Sequence, residues 1–126
     1  MKKYWDNKNR FAVIVSKNVG SGWSTLNNKV FAHDGGFIKL LSKEGCIVND
    51  IIHIRKYRYD KEILCSDEQI KDGLQNKINN YFGRYVFIYG LEGAEIEWLE
   101  EGTLFRVEEG NNGREFIEEC TEVWYS

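Results

Sequence analysis

Within Arg10 to Ser16 (RFAVIVS) five successive residues, Phe11 to Val15, are apolar, so both alternating faces are apolar. That pattern predicts a central strand covered on each side. Asn18 to Thr25 (NVGSGWST) is a loop by composition. Between Val30 and Glu44, Phe37, Ile38, Leu40 and Leu41 recur at helical spacing. They predict a short helix that Gly45 ends and whose start Gly35-Gly36 blurs. Over residues 47–64 two periods compete: Ile47, Ile51 and Ile54 fit a helical face, while His53, Arg55, Tyr57 and Tyr59 alternate as in a strand. The helical period is preferred. A clearer helix is predicted from Asp67 to Asn80, with Ser66 and Gln69 as a capping box and Ile70, Leu74, Ile78 and Tyr81 on one face. Gly73 inside it costs about 1 kcal/mol.

The last third is predicted to be β. Tyr85 to Tyr89 (YVFIY) has the run of a buried strand, and Ala94, Ile96 and Trp98 alternate with Glu95 and Glu97 so that one face is wet. Thr103 to Glu109 and Arg114 to Cys120 flank Gly110-Asn111-Asn112-Gly113, a hairpin turn signal, and Val123 to Tyr125 would add a short terminal strand. No repeat or linker divides the chain. The order predicts one α+β domain over residues 1–126, a mostly antiparallel sheet with two or three helices between the first strand and the C-terminal strands.

Composition narrows the setting. The 126 residues are 42% hydrophobic and 14% aromatic, enough for a packed core. No apolar run approaches the ~18 residues of a membrane span, and the polar start after Met1 is unlike a signal peptide, so the expected protein is soluble and intracellular. Cys46, Cys65 and Cys120 are odd in number and widely spaced, which fits neither a disulfide framework nor a zinc site.

The net charge of -3 hides a split. Residues 1–65 hold twelve Lys/Arg against six Asp/Glu, a net +6, whereas residues 66–126 hold five against fourteen, a net -9. Either the halves attract each other, within a subunit or across a dimer, or some basic residues line an anion site. The acidic total disfavours a protein that coats DNA or RNA.

Candidate chemistry is sparse. His33-Asp34 is an isolated HD pair, and a chain with two histidines has few ligands for a catalytic metal. Glu95, Glu97, Glu100 and Glu101, with Glu115, Glu118 and Glu119 nearby, are most simply a solvated surface. Nothing in the sequence places Cys46 or Cys65 beside His53. The loop Gly20-Ser21-Gly22-Trp23-Ser24-Thr25 lacks the ending of a phosphate-binding P-loop. It offers flexible backbone amides, two hydroxyls and an indole, which suit a nucleotide as well as they suit a tight connection plugged by Trp23. Arg55-Lys56-Tyr57-Arg58-Tyr59 and Tyr81-Phe82-Gly83-Arg84 set cations beside rings, so Phe82 and Arg84 become candidates by chemistry and position. Arg84, Arg106 and Arg114 are the only arginines of the acidic half. They are either ion-pair partners of the glutamates or phosphate ligands, and Arg106 and Arg114 flank the turn where their strands could be neighbours.

Gly20-Ser21-Gly22-Trp23-Ser24-Thr25-Leu26-Asn27, directly after a hydrophobic strand, resembles the Gly-x-Gly-Trp-Ser-Thr-aromatic-Asn signature of phage Thoeris anti-defence proteins of the first type. Ala94 to Val107 (AEIEWLEEGTLFRV), with the following turn and Arg114-Glu115, resembles the closing strands of that family. The two blocks stand in the same order and cover about a third of the chain. Leu26 takes the place of the aromatic, and His33-Asp34-Gly35-Gly36 replaces a Tyr-Asp-Lys type stretch. The resemblance implies a sponge and not an enzyme: a cytoplasmic protein of the infected bacterium that holds a TIR-produced cyclic ADP-ribose signal intact and needs no cofactor or metal. It implies a homodimer or higher oligomer with a ligand site built from both subunits, and relatives that bind cyclic oligonucleotides at a second site. Carried over residue by residue, it assigns Trp23, Ser24 and Thr25, with the Gly22 backbone, and Arg106 and Arg114 to the ligand. Two alternatives stand beside it: a nucleotide-cleaving, phosphodiesterase-like enzyme using His33-Asp34, and an inhibitor that blocks a host protein through its acidic β face.

Overall fold

The structure is a computed structural model that describes residues 2–17, 32–56, 70–110 and 114–120. The Gly-Trp-Ser-Thr loop, Tyr57 to Gln69 with the expected capping box, the tip of the last hairpin and the expected terminal strand all lie outside the described residues.

β1 (Arg10–Val15) buries both of its faces, as its uninterrupted apolar run requires. Phe11, Val13 and Val15 point one way, Ala12 and Ile14 the other. Among the described residues it is central by burial and not by pairing. The four-stranded sheet runs β1-β4-β3-β2, with β2 Ile47–Val48, β3 Ile51–Ile52 and β4 Glu95–Glu100, so β1 pairs along one side with β4. Part of its other side is taken by the N-terminal segment, where the Ala12 amide donates to the Tyr4 carbonyl at 2.9 Å and the Asp6 amide to the Arg10 carbonyl at 2.9 Å.

Among the described residues two helices cover one face. α1 (Gly35–Lys43) begins at Asp34, whose carboxylate accepts from the Gly36 and Phe37 amides at 2.9 and 3.4 Å. Its buried Phe37, Ile38 and Leu41 are worth roughly 1.5–3 kcal/mol each in apolar transfer. The glycine pair that blurs this helix start in the sequence is there for close approach. A Cβ on Gly35 would sit 2.6 Å from the Lys3 carbonyl carbon, and one on Gly36 would strike the Tyr81 ring. α2 (Leu74–Phe82) is shorter than the 67–80 helix predicted from sequence. Gly73 is its N-cap at φ 76 and not an interior residue, and Ile70 pairs with Arg55 instead of joining the helical face.

Two further expectations are corrected. Residues 47–52 form a tight hairpin and not a helix: Asn49 and Asp50 hold φ of 53° and 61°, the left-handed pair that a two-residue turn between β2 and β3 demands. Tyr85 to Ile88 alternates in burial like a strand but joins no ladder among the described residues, and it runs into a 3-10 turn at Tyr89–Leu91.

The other face of the sheet is covered by a second, two-stranded sheet. β5 (Leu104–Glu109) and β6 (Glu115–Cys120) pair antiparallel from Leu104↔Cys120 to Glu109↔Glu115, which is the predicted hairpin. Phe105 and Val107 seal a second core with Phe11, Val13, Val15, Ala32 and Leu99. The result is an α+β domain in three layers: helices, four-stranded sheet, hairpin. No helix among the described residues is long and apolar enough to cross a membrane.

Candidate functional site

β1 delivers the chain to Ser16 and Lys17, immediately before the Gly-Trp-Ser-Thr loop, and Ala32 returns it to the second core. At that root Ser16 and Glu115 hold each other. The Ser16 amide donates to the Glu115 carboxylate at 2.8 Å, and the Glu115 amide donates to the Ser16 carbonyl at 2.8 Å. Both residues are almost fully buried, at 1% and 2% exposed. A carboxylate is buried only where hydrogen bonds replace its water, so this contact fixes the loop root against the start of β6.

Glu115 therefore departs from the solvated surface expected of the glutamate run, and so do two others. Glu95 and Glu97 stand opposite Val15 and Val13, on the sheet face that the hairpin covers. Both are half-buried, and one carboxylate oxygen of Glu97 is shut off from solvent with no hydrogen-bond partner among the described residues. The buried Ser16 hydroxyl likewise has none. The alternation in β4 is real, but the face expected to be wet is under the hairpin.

Of the eight residues picked from the sequence, Gly22, Trp23, Ser24 and Thr25 lie outside the described residues. The remaining four fall into two places. Arg106 is on β5 between Phe105 and Val107, so it points away from the core those two enter. It stands opposite Glu118 and approaches Glu118 and Glu108 at 3.4 Å each. Arg114 immediately precedes β6 beside Gly110, whose amide donates to the Arg114 carbonyl at 2.8 Å. Arg106 and Arg114 are thus not cross-strand neighbours. The register places them four steps apart along the hairpin, roughly 13 Å.

Phe82 and Arg84 are on the helical side. Phe82 ends α2 and packs edge-on against Phe37 at 5.2 Å and Tyr81 at 4.8 Å. Arg84 is exposed just beyond, its guanidinium 3.4 Å from the Tyr85 carbonyl. The sheet separates Phe82 from Arg106, so within one chain the aromatic–arginine pair and the hairpin arginines do not line a common pocket.

The other chemical candidates resolve into separate structural roles. His33 and Asp34 diverge. The His33 ring stands edge-on to Phe105 at 5.8 Å, and burial, then Lys3, holds its pKa below the usual histidine value. Asp34 caps α1 and accepts the Tyr81 hydroxyl at 2.8 Å. Burial and that hydrogen bond push Tyr81 up to about 12. The β2–β3 hairpin brings together two residues that no sequence pattern places side by side: it sets Cys46 beside His53, with the His53 amide donating to the Cys46 carbonyl at 2.6 Å. The thiol is buried and its pKa raised by that burial, which is the reverse of an activated nucleophile, and His53 Nδ1 lies 3.3 Å from Glu92. Lys56 pairs with Asp72 at 2.9 Å. Among the described residues no three His, Cys, Asp or Glu side chains are grouped to hold a metal.

Sequence reasoning missed the Ser16–Glu115 contact, whose two partners stand 99 positions apart, and the outward rings of Tyr85 and Phe87. For the rings a signal existed: Arg84 precedes a run whose alternate residues can bury only every second side chain. No protein-family model, curated protein or solved structure matches this chain.

Proposed function

We propose that this protein sequesters a cyclic ADP-ribose-type signalling nucleotide without cleaving it, as a phage anti-defence sponge acting in the cytoplasm of the infected host. The observation that carries the reading is the Ser16–Glu115 clasp. It joins the root of the Gly-Trp-Ser-Thr loop to the start of β6, and so ties together the two stretches whose sequence resembles the Thoeris anti-defence family. A loop with glycine amides and hydroxyls suits a pyrophosphate, Trp23 suits the base, and arginines supply counter-charge. The separation of Phe82 and Arg84 from the hairpin arginines supports a ligand site assembled from two subunits, since one chain does not bring all four together.

Calorimetry with glycocyclic ADP-ribose tests the reading. The expected result is binding tighter than micromolar, with the ligand recovered unchanged after the protein is denatured. Absence of binding overturns it, and so does catalytic loss of the ligand with or without added divalent metal. That second outcome favours the nucleotide-cleaving alternative. A host protein captured equally well by Arg106→Ala/Arg114→Ala would favour the protein-inhibitor alternative.

A further inference from the structure

We propose that the open half of the four-stranded sheet binds a small aliphatic amine, its ammonium between Glu95 and Glu97 and its hydrocarbon chain over Ile51 and Val48. The register lines these residues up. Val48 stands opposite Ile51, Ile51 opposite Glu95, and Glu95 opposite Val15, so one row crosses β2, β3, β4 and β1 on a single face. Glu97 lies beside that row, two positions along β4. The β5–β6 hairpin covers the β1 end of this face, where Val15 is fully buried. Towards β2 the row comes out into solvent, with Ile51 37% and Val48 52% exposed. Glu95 and Glu97 stand at the step between the covered half and the open one.

These two carboxylates lack what comparable acids in the fold have. Among the described residues every other carboxylate that is half-buried or deeper meets a donor, as Asp6 meets Arg10, Glu44 meets Lys77, and Glu92 meets the Ile54 and Arg55 amides. Glu95 and Glu97 meet none there, and one Glu97 oxygen is closed to water. A carboxylate drawn part-way out of water without a donor is under-solvated, and two of them about 6.6 Å apart along one strand repel each other. A cation between them relieves both costs. Among the described residues no third acid, histidine or cysteine is grouped with them, which disfavours a metal ion and leaves an ammonium, a compact charge with three donors. The apolar residues of the row select what the ammonium carries. Strands about 4.8 Å apart set Ile51 and Val48 roughly 5 and 10 Å from Glu95, so an unbranched chain of about six carbons crosses both. A stable protein interface uses roughly 20–30 residues a side, far more than this row offers, so the occupant is a free small molecule and not a lysine of a partner. The carboxylates turn phosphate away, and the inference stands independently of the nucleotide reading.

Amide-resolved NMR titration of the full chain with hexylammonium, ethylammonium and hexanol tests it. The expected outcome is saturable shifts at Ile51, Glu95 and Glu97 with hexylammonium. Its binding should be at least about 10-fold tighter than that of ethylammonium, which lacks the tail, or of hexanol, which lacks the charge. The double variant Glu95→Gln/Glu97→Gln should weaken hexylammonium by about 10-fold or more. Val48→Asn should weaken hexylammonium and leave ethylammonium unchanged, and Glu100→Gln, exposed at the end of β4, should alter neither. Glutamine matches glutamate in shape and Val48 is exposed, so at least one of the weakening variants should fold. Equal affinity for hexylammonium and ethylammonium overturns the inference. So do shifts spread evenly over the exposed glutamates, undiminished binding to the double variant, or no saturable binding of hexylammonium.

Discussion

Ser16 and Glu115 exchange two 2.8 Å hydrogen bonds across a separation of 99 residues, amide to carboxylate in one direction and amide to carbonyl in the other. One bond is backbone to backbone and survives any residue but proline at 115; the other depends on the carboxylate. Glu115→Ala should therefore strand the buried Ser16 amide and cost about 1–3 kcal/mol, read from urea denaturation. Glu115→Gln keeps an acceptor and should cost less. If the loop root matters for the ligand, nucleotide affinity should fall in the same order, Ala further than Gln. Equal stability of the alanine variant and the wild type would remove the clasp as a structural element.

Tyr81 makes alkaline stability predictable. Its hydroxyl is held by Asp34 and its pKa is raised from 10.0 to about 12, first by burial and then by that hydrogen bond. A folded-state pKa above the unfolded value means that the neutral phenol is favoured by folding. The contribution is whole below pH 10 and disappears as pH climbs towards 12. Tyr81 is substantially exposed, so the effect is modest. Tyr81→Phe should lose the Asp34 bond at neutral pH, costing about 0.5–1.5 kcal/mol, and should flatten the alkaline slope. Phenolate absorbance titration of the two proteins gives the comparison; an identical slope in both would refute the assignment.

On the acid side the same linkage runs through His33 with the opposite sign. Burial, then Lys3, lowers its pKa from 6.5, so the folded state favours the neutral ring. Its contribution is whole above pH 6.5 and is lost as pH falls below that towards the lowered folded value. A proton NMR titration should show His33 titrating below 6.5. His33→Gln should reduce the loss of stability on mild acidification, and a His33 titrating above 6.5 would contradict the burial argument.

What the sequence disclosed follows from which residues have local partners. The apolar run of β1, the α1 triad Phe37, Ile38 and Leu41, and the β5–β6 hairpin declare themselves because neighbours a few positions away share their burial. The 47–52 hairpin was hidden because Ile47, Ile51 and Ile54 have helical spacing, and only the tolerance of Asn49 and Asp50 for positive φ separates the two outcomes. Gly73 passes for a weak point inside a helix until its left-handed conformation makes it the boundary. Tyr85 to Tyr89 has strand composition but gives its inner edge to side chains of α2, a choice no local pattern encodes. For the candidate site, residue types were legible and convergence was not. Glutamates that look solvated lie beneath the hairpin, and arginines that look adjacent are set apart by its register.

The arginines provide the sharpest separation of ligand chemistry from fold. Arg106 sits in long, half-exposed approaches to Glu108 and Glu118, so Arg106→Ala should change stability by no more than about 1 kcal/mol. A guanidinium that meets a phosphate in the complex is worth about 1.5–3 kcal/mol, so the same substitution should weaken nucleotide binding roughly 10- to 100-fold if Arg106 contacts the ligand. Arg84→Ala and Arg114→Ala deserve the same pair of measurements, thermal unfolding without ligand and calorimetry with it. Because Arg84 lies on the helical side and Arg106 on the hairpin side, a site shared between subunits predicts losses from both. In a mixed dimer that carries one substitution in each chain, two equivalent shared sites should divide into one that bears both losses and one that stays intact. A loss confined to one side would place the ligand within a single chain, and unaltered affinity in all three variants would exclude these arginines from the site.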